Sequence, residues 1–287
     1  MKFDLGMVQF APMKGQVDAN LRRIAELITQ ASSEGVDLAV FPESAVTGYI
    51  LEGGAIEHSL TSDQLVESLG KHLESVQTPI DAVVGYYETG SGQPYNSAAY
   101  MAWSGTDLKL VHNYRKFFLP TYGVFDEERF HAAGSDLGLV DSRFGKMGIL
   151  ICEDVWHSVL GTLLAVSGAE FVVVPSASPM RGIAADVPGN VQRYERMVKA
   201  LAEEHGVFAA ASMLIGFEGG KGFSGGSMVF DPFGDQLVSA PLGEQSISIA
   251  TVDLEIGRLA RSRTPLTNDL RTRWPEIVAM AQVVKPV

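Results

Sequence analysis

The sequence predicts an α/β fold whose sheets carry helices on their outer faces. Strand-length apolar runs alternate with stretches of helical spacing along the chain. No linker, low-complexity segment or internal repeat breaks that alternation, so residues 1–287 are expected to form one domain. With 46% hydrophobic residues, the chain can bury a sizeable core.

Residues 2–10 read as a strand closed by Ala11-Pro12. Residues 17–34 have helical spacing, with Leu21, Ile24, Ala25, Ile28 and Ala31 on one face and Asp18 near the start. Gly35 ends that helix, and residues 36–41 form a short buried strand leading into Pro42-Glu43. A second helix is expected over 61–75, with Leu65, Val66, Leu69, His72, Leu73 and Val76 inward. Strands over 80–87, 96–104 and 108–112 follow, separated by Gly-rich turns. Residues 113–135 show no steady period, and long irregular loops in compact domains are often functional. Next come strands at 137–140 and in the run ending at Cys152, a helix near 159–167 and a strand at 171–174. Residues 187–205 read as a third long helix. Strands at 207–216, 226–230, 236–239 and 246–252 precede a tail with one short helix and an Arg-rich end.

Composition excludes several classes of function. A net charge of −12 argues against nucleic acid or an anionic membrane as the main partner. The single cysteine leaves no disulfide framework and no Cys-rich zinc site, and suits a reducing, cytoplasmic setting. The histidines show no paired ligand spacing, so no metal site is expected. Asp4 and the lack of an apolar h-region predict no signal peptide. Apolar stretches such as 171–175 are too short to span a bilayer.

Three buried apolar strands end in a reactive or polar residue. They are Leu38-Ala39-Val40-Phe41-Pro42-Glu43, Gly148-Ile149-Leu150-Ile151-Cys152 and Phe171-Val172-Val173-Val174-Pro175-Ser176. A lone thiol is commonly a small buried hydrophobe. Cys152, however, stops an apolar run and is followed by Glu153-Asp154, the placement of a nucleophile. In open α/β sheets, sites gather beyond the carboxyl ends of strands. A fourth segment, Tyr114-Arg115-Lys116, opens the long loop.

Phe41-Pro42-Glu43, Tyr114-Arg115-Lys116 and Cys152-Glu153-Asp154-Val155-Trp156, in that order, resemble the Glu-Lys-Cys triad of the nitrilase superfamily of carbon–nitrogen hydrolases. The resemblance runs from Val8-Gln9 to about Val252. It narrows to the glutaminase domain of glutamine-dependent NAD synthetase through the run from Lys116 to Phe130. Ser176-Ala177-Ser178-Pro179 and Phe223-Ser224-Gly225-Gly226-Ser227 support the same likeness. The sequence has no SGGxDS-type adenylation loop, and residues 180–190 depart from that glutaminase pattern. A free-standing amidase similar to that branch is therefore expected.

The resemblance implies a four-layer αββα sandwich, no cofactor, and a homodimer or higher oligomer. The tail 254–287 would then lie in oligomer contacts. It also implies roles. Cys152 is the nucleophile that forms a thioester, splitting a difficult amide hydrolysis into two steps. Glu43 is the general base, Lys116 binds the oxyanion with the backbone N–H of Glu153, and Glu127 is a second glutamate that orients Lys116 or the substrate amide. A carboxylate near about 4.3 is a weak base for a thiol near about 8.5, so burial must raise Glu43. Tyr49, Tyr122, Glu153 and Ser178 are the expected substrate contacts. The expected substrate is a small amide, cleaved to acid and ammonia. Alternatives are a glutaminase subunit feeding ammonia to a separate ATP-dependent synthetase, an N-carbamoyl or nitrile hydrolase, and a binding protein on the same scaffold. Glu153, rather than Trp, directly after the thiol favours amides over nitriles.

Rival motifs are weaker. Gly222-Phe223-Ser224-Gly225-Gly226 matches the G-x-S-x-G nucleophile elbow, but a strand-like run follows it and no histidine lies beyond His205. Gly219-Gly220-Lys221-Gly222 lacks phosphate-loop spacing and reads as a turn between strands. His157, five residues after Cys152, suggests a Cys–His dyad at an offset that disfavours direct contact.

Overall fold

The computed structural model describes residues 1–49, 54–181 and 186–285. The first half runs β1 (Lys2–Gln9), α1 (Val17–Ser33), β2 (Leu38–Val40), α2 (Ser62–His72), β3 (Ile80–Glu88), β4 (Tyr95–Trp103) and β5 (Leu108–Arg115). The second runs α3 (Glu127–Phe130), β6 (Leu139–Ser142), β7 (Gly145–Ile149), a 3-10 turn (Cys152–Trp156), α4 (Ser158–Val166), β8 (Phe171–Ser176) and α5 (Gly189–His205). It continues through β9 (Phe208–Met213), β10 (Ile215–Glu218), β11 (Lys221–Ser224), β12 (Met228–Phe230), β13 (Gln236–Ser239) and β14 (Ser246–Asp253). Helices α6 (Leu254–Arg263), α7 (Leu266–Thr272) and α8 (Trp274–Val283) close the described chain.

Two six-stranded sheets form, in the orders β14-β1-β2-β3-β4-β5 and β13-β12-β9-β8-β7-β6. Strands β1, β2 and β3 are parallel, as are β7, β8 and β9; the flanking pairs are antiparallel. The period of two along β1 explains the layering. Phe3, Leu5 and Met7 enter one apolar cluster with Met147, Ile149 and Phe171 of the other sheet. Val8 and Phe10 enter a different cluster, with Leu21, Ile24 and Ile28 of α1 and Leu65 and Leu69 of α2. Helix α5 packs Tyr194, Val198 and Ala202 against the second sheet. The result is the αββα sandwich.

Helix α1 buries the expected face, and also Asn20, whose amide donates to the carbonyls of Met13 and Val46. Helix α2 begins at a capping box, in which Thr61 and Gln64 satisfy each other's backbone N–H groups. It ends at His72, three residues before the expected stop, and His72 is exposed rather than inward. Residues 207–216 are not one strand: β9 stops at Met213, and β10 leaves the sheet to pair with β11 around a Gly219-Gly220 turn. Among the described residues the tail holds three helices rather than one. The apolar α8 buries none of its residues, and Val278, Met280, Val283 and Val284 are exposed. No helix among the described residues is long and apolar enough to cross a membrane.

Candidate active site

Glu43 reaches the site because β2 stops at Val40 and the chain turns sharply. Ser44 adopts φ +53°. The turn lies directly on β3. A Cβ on Gly85 would sit 2.4 Å from the Pro42 carbonyl oxygen, 2.6 Å from the Ser44 nitrogen and 2.7 Å from Glu43 Cα. Only glycine fits there. Lys116 follows the end of β5, and its backbone N–H donates to the Asn96 carbonyl on β4. Cys152 lies beyond the end of β7, at the start of the 3-10 turn, with φ +49°. A left-handed conformation is costly for a residue with a Cβ and is kept where surrounding contacts enforce it.

These elements bring Glu43, Lys116, Glu127 and Cys152 together. Lys116 Nζ lies 2.8 Å from Glu43 Oε1 and 2.8 Å from Glu127 Oε1, and Glu43 and Lys116 are wholly buried. The Cys152 thiol donates to the Ala177 carbonyl, with Sγ 3.8 Å from the oxygen, so the thiol and Glu43 meet at the same residue. Glu43 is further fixed by Asn96 Nδ2, donating to Oε1 at 2.7 Å, and by the Ala177 N–H, donating to Oε2 at 2.8 Å. The Tyr49 hydroxyl donates to Glu127 Oε1, and Glu127 Oε2 is buried without a partner.

Burial sets the electrostatics. It pushes the Glu43 carboxyl above its ordinary range, with the Lys116 ammonium pulling the other way. Burial alone would lower Lys116, but the carboxylates of Glu127 and Glu43 outweigh it and hold the ammonium well above the usual lysine range. Burial, reinforced by the Glu43 charge, pushes the Cys152 thiol well above its ordinary value. The resting arrangement is thus a protonated thiol and a buried carboxyl held against the same Ala177 backbone, the carboxyl paired with a fixed cation. That arrangement can pass a proton from sulfur to Glu43 while leaving a third ammonium N–H of Lys116 for an incoming oxygen.

Asp154 ties the pieces together. It is wholly buried and accepts from the N–H of Phe117 at 3.2 Å, Phe118 at 2.9 Å and Ile151 at 3.0 Å, and from the Tyr114 hydroxyl at 2.9 Å. Burial pushes its carboxyl up to about 6 against those donors. Asp154, Asn96, Gly85 and Tyr194, whose hydroxyl donates to Cys152 Sγ at 3.0 Å, were not singled out by the sequence.

Tyr122 is 43% exposed and donates to Glu153 Oε2 at 2.7 Å. Tyr49 stacks edge-on with Phe125 and Phe223. Ser178 is buried beside Ala177, and its carbonyl accepts from Asn190 Nδ2 at 3.1 Å. Residues 182–185, in the stretch that departs from the glutaminase pattern, lie outside the described residues. His157 makes no dyad with the thiol; it stacks on Phe118 and faces Glu153 at 3.5 Å. The Phe223-Ser224-Gly225-Gly226-Ser227 run has a structural use. Its Gly226 and Ser227 N–H groups bond Gln9 Oε1, and a Cβ on Gly225 would lie 2.4 Å from Gln9 Cδ. Among the described residues no group of His, Cys, Asp and Glu is arranged to hold a metal ion.

The carbon–nitrogen hydrolase family model matches residues 4–262. The chain belongs to that family. This carbon–nitrogen hydrolase is 28% identical over 253 residues to glutamine-dependent NAD(+) synthetase of Acinetobacter baylyi, spanning 88% of this chain and 44% of the synthetase. The structure of glutamine-dependent NAD+ synthetase from Acinetobacter baumannii, in complex with ADP, superposes with a TM-score of 0.78 at 28% identity. That match covers 90% of this chain and 47% of the synthetase. The chain therefore spans less than half the length of these relatives. A carbon–nitrogen hydrolase from Helicobacter pylori G27 shares the fold along nearly its whole length, with a TM-score of 0.83 at 21% identity, covering 97% and 99% of the two chains.

Proposed function

We propose that this hydrolase cleaves the carbon–nitrogen bond of a small linear amide, releasing acid and ammonia through a thioester on Cys152. The observation that carries the reading is the buried Lys116 ammonium between Glu43 and Glu127, with Ala177 joining Glu43 and the Cys152 thiol through its N–H and carbonyl. Glu43 takes the thiol proton as sulfur attacks the amide carbonyl. The oxyanion is held by Lys116 Nζ and the Glu153 backbone N–H. As the tetrahedral adduct collapses, the C–N bond breaks and Glu43 returns the proton to the leaving ammonia. Glu43 then takes a proton from water, whose oxygen attacks the thioester and frees the acid and Cys152. No cofactor enters these steps. Tyr49, Tyr122, Glu153 and Ser178 are proposed to contact the substrate, and Glu127 to orient Lys116 and the amide. The unpartnered Glu127 Oε2 supports the latter role, because a substrate N–H would satisfy it.

The identity to glutamine-dependent synthetases supports glutamine as one candidate amide, and a second reading as a glutaminase unit that hands ammonia to a synthetase. We also propose one domain, a cytoplasmic setting, and a homodimer in which the bare apolar face of α8 packs on a second copy. Intact-mass spectrometry of protein quenched during turnover of glutamine and small aliphatic amides tests the chemistry. An acyl adduct on wild type that is absent from Cys152→Ala is expected. Amide turnover that persists in Cys152→Ala overturns the reading.

A further inference from the structure

We propose that Tyr194 is a catalytic hydrogen-bond donor that holds the Cys152 sulfur anion during attack, an inference that rests on the thiol-hydrolase reading above. Tyr194 projects from α5, is wholly buried, and places its hydroxyl 3.0 Å from Sγ. The Trp156 ring, on the same turn as Cys152, packs edge-on against the Tyr194 ring and fixes its plane.

The site needs such a donor. Lys116 Nζ bonds the two carboxylates, and the hydrogen-bond donor on sulfur itself is the phenol. When Glu43 takes the thiol proton, sulfur becomes a buried anion, and an unpaired buried charge is costly. A hydrogen bond to an ionised partner is about twice as strong as a neutral one. Burial holds the Tyr194 phenol well above its ordinary value, so it stays protonated and donates throughout. A tyrosine kept only for packing would not need its hydroxyl pointed at sulfur.

Alkylation by iodoacetamide tests this directly. Sulfur displaces iodide from the methylene carbon, the thiol proton leaves to buffer, and Cys152 is the only cysteine in the chain. In Tyr194→Phe, which keeps the ring, the pH midpoint of alkylation should rise by about one unit, and the rate at neutral pH should fall about tenfold. An unchanged midpoint in a folded Tyr194→Phe protein overturns the proposal. If that variant does not fold, site-specific 3-fluorotyrosine at position 194 supplies a more acidic donor. The midpoint should then move down, and no movement overturns the proposal. Alkylation needs no hydrolysis, so a wild type that cleaves no amide would refute the proposed function without touching this result.

Discussion

Asp154 Oδ1 accepts the backbone N–H of Phe118 at 2.9 Å, joining a residue two places after Cys152 to one two places after Lys116. The same carboxylate holds Ile151 N–H and the Tyr114 hydroxyl. One buried acid thus sets the distance between the loop that carries the cation and the turn that carries the thiol.

Asp154→Asn should loosen that joint. An amide NH2 would face at least one of the donors now satisfied by the carboxylate, and a buried donor left unmade costs about 1–3 kcal/mol. Denaturant unfolding should show a loss of that order. kcat should fall more than KM rises, because the reacting groups separate while the Tyr49–Glu127 and Tyr122–Glu153 hydrogen bonds do not involve Asp154.

Gly85→Ala should be more damaging than its size suggests. All three atoms the new methyl would meet belong to the backbone of the turn that carries Glu43, so none can rotate away. Overpacking of this kind costs about 1–3 kcal/mol. A folded variant with strongly reduced amide turnover is expected. Full activity would show that the Glu43 turn is not held against β3 as described.

Lys116→Met leaves the Glu43 and Glu127 carboxylates buried without their cation. Breaking a buried pair costs about 3–5 kcal/mol. Burial already raises the Glu43 carboxyl, and loss of the Lys116 charge that pulls it down would raise it further above its unfolded value. The Glu43 contribution to the remaining stability should therefore be greatest below about 4.3 and should be lost as pH rises through its raised value. Melting temperature against pH, compared with wild type, reads this directly; parallel curves would contradict it.

The pH profile of turnover follows from the same burial. Both Glu43 and the Cys152 thiol are raised, and the productive form has one proton shared between them. The acid limb of kcat/KM should lie above the ordinary Glu value, and the alkaline limb above the ordinary thiol value. The two midpoints belong to the pair rather than to either residue.

Glu43, after Phe41-Pro42, and Cys152, before two acids, were legible because each follows an abrupt end to an apolar run, a signal of strand termini, whereas Lys116 was legible only through the resemblance carried by Tyr114-Arg115-Lys116. Asn96 and Tyr194 were not legible. Asn96 lies within β4 and Tyr194 within α5, where one polar side chain does not disturb the period. Its direction depends on register and on helix rotation, which tertiary packing decides. Gly85 looks like any strand glycine until the Glu43 turn is laid on it. The split of residues 207–216 into β9 and β10 was hidden because both strands are apolar enough to read as one. Helix α8 gave no amphipathic signal against its own chain because it buries none of its residues there.

The most direct test is ammonia release from glutamine, a series of small amides, N-carbamoyl amino acids and nitriles, by wild type and Cys152→Ala side by side. Release from at least one amide that disappears in Cys152→Ala, with the melting temperature preserved, is the predicted result. Ammonia release at equal rates from both proteins, or cleavage by wild type of nitriles alone, would contradict a thiol amidase built on Glu43, Lys116 and Cys152.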